Sequence, residues 1–198
     1  MNYAKVLFIA LCLLLLPGIG ICETSGWTGN LNAFIGYKNQ TDEFFRPEVD
    51  DHFELGLQLD FKPSNWPVSI AIDGFRSVSG ETTLWAAATL GLVTAESRTQ
   101  EINIGIRKIW NDTPHLRPYI GGGIAYIKNE IDGDILFTDF SDDDSGVGFW
   151  LDAGFYWTFA KHLNFGFDLR YSYAEVKLLD EDVNAGGFHA GVILGIHW

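Results

Sequence analysis

The stretch Gly187-Phe188-His189-Ala190-Gly191-Val192-Ile193-Leu194-Gly195-Ile196-His197-Trp198 decides the fold. Taken in steps of two, one set is Phe188, Ala190, Val192, Leu194, Ile196 and Trp198. The other set is Gly187, His189, Gly191, Ile193, Gly195 and His197. Successive side chains of a strand point to opposite faces, so the segment reads as a strand with one greasy face and one small or polar face. The last strand of an open soluble sheet would expose an apolar edge. In a closed barrel that strand pairs with the first one, and no edge remains.

The same alternation recurs upstream. Trp27, Gly29, Leu31, Ala33, Ile35 and Tyr37 alternate with Thr28, Asn30, Asn32, Phe34, Gly36 and Lys38. Phe53, Leu55, Leu57, Leu59 and Phe61 alternate with His52, Glu54, Gly56, Gln58, Asp60 and Lys62. Further segments run through Val68, Ile70 and Ile72, then Ile102, Ile104 and Ile106, then residues 119–128. In that last segment Gly121-Gly122-Gly123 hides which face is which. Phe149 to Phe159 and Leu163 to Tyr173 alternate again. With the C-terminal strand the count is eight. Residues 81–97, 130–144 and 177–186 read as long loops, the last two acidic. The alanine-rich part of 81–97 is apolar on both faces.

The chain has 198 residues, a formal charge of −13, 15% aromatics and 22 glycines. This length suits one domain. A basic footprint is missing, which argues against nucleic acid as a partner. Residues 1–22 read as a secretory signal, cleaved before a mature domain of 23–198. Lys5 provides the positive start, Val6 to Leu16 the apolar run, and Pro17 and Gly18 the break. The run is too short for a spanning helix, which needs about 20 residues. Retention of Cys22 as a lipidated N-terminus is the rival processing. Cleavage would remove Cys12 and Cys22, both cysteines of the chain, and with them any thiol or disulfide chemistry.

Three features favour a membrane barrel over a soluble sandwich. Connections after strands two, four and six are short, and those after one, three, five and seven are long. Up-and-down membrane barrels have short periplasmic turns and long outer loops in that order. Five tryptophans, Trp27, Trp66, Trp110, Trp157 and Trp198, fall at the short-turn ends, as an interfacial girdle would. The apolar faces are also too bulky to point inward, because eight strands enclose only enough room for their own side chains.

The opposite faces carry Glu54, Asp60, Asp73, Glu101, Asp152 and Asp168 with Lys38, Lys62, Arg107 and Arg170. Charges inside a barrel have to be paired, so these are expected to form a salt-bridge network that plugs the lumen. A proton or ion path is the sharper alternative, and a large pore is not expected. The histidines are His52, His115, His162, His189 and His197. None stands in the tight His-x-Ser arrangement of lipid A deacylases, and the sequence places no serine beside His189 or His197. No catalytic, cofactor or metal site is expected. Asp132-Gly133-Asp134 and Asp142-Asp143-Asp144 offer oxygen ligands to calcium without EF-hand spacing. A solvated, repulsive loop accounts for the same residues.

Glu101-Ile102-Asn103-Ile104-Gly105-Ile106-Arg107-Lys108, Leu116 to Tyr126, Asn164 to Tyr171 and the Trp198 terminus resemble the outer-membrane β-barrel domain family, the small barrels of OmpA/OmpX type. The resemblance implies an all-β, eight-stranded, antiparallel, up-and-down transmembrane barrel in the bacterial outer membrane. It implies Phe188, Val192, Leu194, Ile196 and Trp198 as the assembly signal read by the barrel-assembly machinery. The expected role is structural or in surface interaction, as a monomer, with outer-membrane lipid, lipopolysaccharide and divalent cations at the acidic loops as partners. The alternative is an outer-membrane enzyme or lipid-binding barrel acting on lipid A or other outer-leaflet lipid.

Overall fold

The computed structural model describes residues 26–40, 51–79, 82–85, 92–113, 115–135, 138–159, 162–178 and 181–198. The signal-peptide reading and Cys22 lie outside them.

Eleven strands are present among the described residues: β1 (Trp27–Asn39), β2 (Asp51–Pro63), β3 (Ser69–Ser79), β4 (Thr82–Trp85), β5 (Leu92–Ile109), β6 (Leu116–Ile135), β7 (Thr138–Phe159), β8 (Leu163–Tyr173), β9 (Glu175–Leu178), β10 (Glu181–Asn184) and β11 (Gly187–His197). Eight of them close a barrel in the order β1-β2-β3-β5-β6-β7-β8-β11, every pairing antiparallel. β11 returns to β1, with Leu31 opposite Ile196 and Ile35 opposite Val192. Trp198 extends this seam, its N–H donating to the Gly29 carbonyl at 3.1 Å and its carbonyl accepting in return at 3.0 Å.

The period of two decides the inside and the outside. Leu57, Phe165 and Val192 point outward and are about half exposed, whereas Asp168 and Arg170 are buried within the ring. β6 buries Tyr119, Ala125, Ile127 and Asn129 and turns Ile120, Ile124 and Tyr126 outward. Gly121 and Gly123 therefore face the lumen. A side chain at Gly121 would run into the Asp152 carboxylate, so glycine here leaves room for the charged cluster.

Three segments read from the sequence as loops are ordered as strands. Residues 92–100 belong to β5, which pairs with β6 as far as Val93 opposite Ile135. β4 pairs with Leu92 to Ala95 and stays outside the barrel ring, so the even number survives. Threonine, valine and leucine suit a pleated ribbon, and they outweigh the neighbouring alanines. Residues 130–144 continue the β6–β7 ladder to Ile135 opposite Thr138. Their acidity looks like a loop, but the two-stranded ribbon pairs the backbone through this stretch. Residues 175–184 form the β9–β10 hairpin. Its Val176 and Val183 pack with Ala174 and Ala185 against Ile127, Ile131 and Trp150, and β9 runs beside β7, where the Lys177 amide donates to Asp144.

Candidate functional site

Near the middle of the lumen Arg107 and Arg170 share two carboxylates. Arg107 Nη2 donates to Asp73 Oδ2 at 2.8 Å and to Asp152 Oδ2 at 2.5 Å. Arg170 Nη2 donates to the same two oxygens at 2.5 and 3.3 Å. The Arg170 guanidinium lies between the Phe75 and Trp150 rings, 4.4 and 4.7 Å from their centroids. Such stacking stabilises a cation without competing for its hydrogen-bond edges. Tyr156 donates to Asp60 at 3.0 Å, and Tyr119 donates to Asp168 at 2.5 Å. Phe34 packs edge-on against Phe75, and Tyr119 stacks on Tyr156 at 4.5 Å.

Toward the short-turn rim, Arg117 donates to Asn30 at 3.0 Å and to Asn164 at 2.7 Å. Toward the outer end lies a second charged set. Glu54 faces His189 Nδ1 at 2.8 Å. His189 Nε2 is 2.9 Å from Ser172 Oγ. Ser172 Oγ donates to Glu101 at 3.0 Å, and Lys38 Nζ is 3.6 Å from the same Glu101 oxygen. Lys38 also donates to the Ala185 carbonyl at 2.8 Å, at the root of the β9–β10 hairpin.

All seven residues expected in the lumen network, Glu54, Asp60, Glu101, Arg107, Asp152, Asp168 and Arg170, are buried inside the ring, as are Asp73 and Lys38. Lys62 keeps the inward parity of β2 but is only half-buried near its end, opposite Thr28, because the strand there has reached the rim. His189 is a correction. It has a serine beside it, but one strand away and seventeen residues back, where cross-strand register and not sequence spacing makes the contact. Arg117, Tyr119, Tyr156, Asn30 and Asn164 complete the lumen without being singled out by the sequence. Their only signal there is membership of the inward stripe.

Trp27, Trp66 and Trp157 are exposed at the short-turn end, with Trp110 and Trp198 partly covered beside them. Trp198 lies over Gly29. A second aromatic ring sits at the other end of the apolar band: Tyr37 against Phe53, Phe149 against Tyr173, and Tyr171 against Phe188. The tryptophan positions point only to the first ring. On β1 Trp27 and Tyr37 are ten residues apart, which for tilted strands is about 25 Å of height, the thickness of an outer-membrane apolar band. Phe188, Val192, Leu194 and Ile196 are all on the outward face of β11.

Beyond the upper ring the β6–β7 ribbon carries Glu130 and Asp142 to Asp144. Lys128 pairs with Asp143 at 2.8 Å, and Asp144 accepts from the Lys177 amide at 2.7 Å. Among the described residues no three acids or histidines gather into a metal site.

A closed ring with a hydrocarbon exterior, aromatic ends and an ionised interior defines an integral outer-membrane β-barrel. The chain belongs to the outer membrane protein beta-barrel domain family, whose model matches residues 12–194. No curated protein sequence matches it. Among solved structures it is similar to the outer membrane protein OprG of Pseudomonas aeruginosa, with a TM-score of 0.64 at 13% identity, covering 88% of this chain and 97% of that one. It is also similar to Ail, the attachment invasion locus protein of Yersinia pestis, with a TM-score of 0.56 at 12% identity, covering 86% and 98%. A major outer membrane protein of Thermus thermophilus gives 0.58 at 9% identity, covering 87% and 98%. At these identities the likeness is one of fold.

Proposed function

We propose that this barrel is a sealed structural and surface-interaction protein of the outer membrane, acting as a monomer through its lipid-facing wall and its acidic outer ribbons. The observation that carries this reading is the Asp73–Arg107–Asp152–Arg170 cluster between Phe75 and Trp150, which occupies the middle of the lumen. An eight-stranded ring has little width beyond its own side chains, so a filled centre leaves no water column.

The wall is suited to lipid. An open apolar groove of about 460 Å³ runs along it, walled by Tyr37, Leu151, Leu169, Tyr171 and Phe188, with Ala153 and Ala190 on its floor. The groove has the chemistry of an acyl chain's neighbour. The acidic ribbon above the upper aromatic ring would lie level with the phosphates of lipopolysaccharide, where divalent cations bridge like charges. One Ail structure holds the heparin analogue sucrose octasulfate. The exposed carboxylates of the present chain argue against a polyanion as its partner, since like charges repel. The outward face of β11, ending at Trp198, is the surface offered to the barrel-assembly machinery.

An enzyme acting on lipid A is the second reading, and Ser172, His189 and Glu54 are the residues that raise it. Two observations weigh against it. The Ser172 hydroxyl donates to Glu101, so its hydrogen is not available to His189, and all three residues are buried inside the ring. Planar-bilayer recording of the refolded protein tests the sealed reading: no steps of porin size are expected, and regular large steps would refute it. Release of label from lipid A, lost in Ser172→Ala, would instead establish the enzyme.

A further inference from the structure

The upper aromatic ring is interrupted on one strand. Followed from partner to partner, the row that leaves β1 at Gly29 passes Ile106 on β5 and Leu151 on β7 and returns to β1 at Asn39. It climbs ten residues (39 − 29) in eight steps, a little over one residue per strand. Allowing for that climb, the outward positions nearest the level of Tyr37 are Arg76 on β3, Ile102 on β5, Tyr126 on β6 and Phe149 on β7. A cation thus stands on the lipid-facing wall where its neighbours carry apolar or aromatic side chains.

The Arg76 side chain is exposed, and among the described residues no carboxylate pairs with it. The nearby cations have acids beside them: Lys128 pairs with Asp143 at 2.8 Å, and Arg98 has Glu130 as its register partner. Gln100 is directly across from Arg76 on β5 and is exposed on the same face, with an amide that can donate. Beneath Arg76 the wall is notched. Gly74 is the next outward position toward the bilayer centre, between Leu57 and Ile102, and a Cβ there would meet no atom within 4 Å.

We infer that Arg76, Gln100 and the Gly74 notch form a binding site for a phosphate-bearing lipid of the outer leaflet. The guanidinium fork matches a phosphate group and donates to two of its oxygens. The Gln100 amide adds a further donor, and one acyl chain lies in the notch against Leu57 and Ile102. The depth is right for this. Interfacial aromatics sit at the level of the headgroups, so Arg76 meets phosphates there and not hydrocarbon. An outward arginine costs little at that level, and a lipid phosphate supplies the counter-charge that the protein does not. Because the contact is direct, no divalent ion is needed, unlike bridging at the acidic ribbon above. The site rests on the surface-interaction reading of the lipid-facing wall and is independent of the sealed lumen.

Native mass spectrometry tests it on the refolded protein, released from detergent micelles that contain lipid A and EDTA. EDTA removes any contribution from divalent bridging. The fraction of protein holding one lipid is followed against lipid concentration, for lipid A with its phosphates and for the same lipid stripped of them. The phosphorylated form should bind at least about tenfold more tightly, as loss of a charged hydrogen bond implies. Arg76→Gln should abolish that preference, and Gly74→Leu should weaken both forms alike by filling the notch. Heat-modifiable migration on a gel checks that each variant is folded. Equal binding of the two forms by the unmodified protein, or none, overturns the site without recourse to any variant. A preference that survives in Arg76→Gln overturns it as well, by assigning the phosphate to other groups. Unchanged binding in Gly74→Leu overturns the notch. Displacement of lipid A by millimolar inorganic phosphate overturns the lipid assignment in favour of a general anion site. Each of these results leaves the sealed lumen to be decided by the bilayer recording.

Discussion

Asp73 and Asp152, on strands separated by β5 and β6, each present a single oxygen, Oδ2, to both Arg107 and Arg170. Two cations and two anions therefore share one point at the middle of the barrel. A buried pair of this kind contributes little net stability against an apolar filling, but breaking it is costly because a charge is stranded.

Replacing Arg107 with methionine leaves Asp73 and Asp152 with half their counter-charge. The expected loss is about 3–5 kcal/mol in unfolding free energy, measured by urea titration in lipid vesicles. Adding Asp152→Asn to that variant should recover part of the loss. An effect of Asp152→Asn that is the same in the Arg107→Met variant as in the unmodified protein would show that the two residues are not coupled.

Leu57 is at the middle of the outward stripe of β2, and Tyr37 is in the upper aromatic ring. Arginine at position 57 should cost about 2–4 kcal/mol, and arginine at position 37 about 0–1, because the penalty for a charge falls from the bilayer centre to its edge. Urea unfolding in vesicles reads both. Equal costs at the two depths would contradict the assigned band.

Much of this is legible in the residues themselves. Eight stripes of period two survive because one face meets hydrocarbon and the other meets charge, and Leu57 and Asp60 could not exchange faces. The Gly121–Gly123 run is opaque because it has no side chains to assign. The outer ribbons look like loops because carboxylates in water are alike on a loop and on a strand, as Asp142 to Asp144 are opposite Ile131 to Asn129. The Ser172–His189 contact is out of reach for a different reason. It depends on which residue of β8 stands opposite Gly187, a matter of register that only closure of the ring fixes.

The Asp144 carboxyl is exposed in the outer ribbon and is held below its ordinary value, first by the Lys177 amide and then by the Ser145 amide. A depressed carboxylate contributes stability above its unfolded value and loses it as pH falls through the folded one. Docking of β9 against β7 should therefore weaken only on acidification below about pH 4. Asp144→Asn should abolish that acid step, seen as exchange of the Lys177 amide by NMR. Persistence of the step in the variant would assign it to another group.

The orientation of the two faces underlies everything else, and spin labels placed singly from position 163 to position 171 of β8, in bilayers, test it most directly. Labels at 163, 165, 167, 169 and 171 are expected to collide with dissolved oxygen as lipid-exposed sites do, while those at 164, 166, 168 and 170 are shielded from oxygen and from water-soluble relaxants. Water-soluble relaxants reaching 168 and 170, with 165 and 167 shielded, would contradict it.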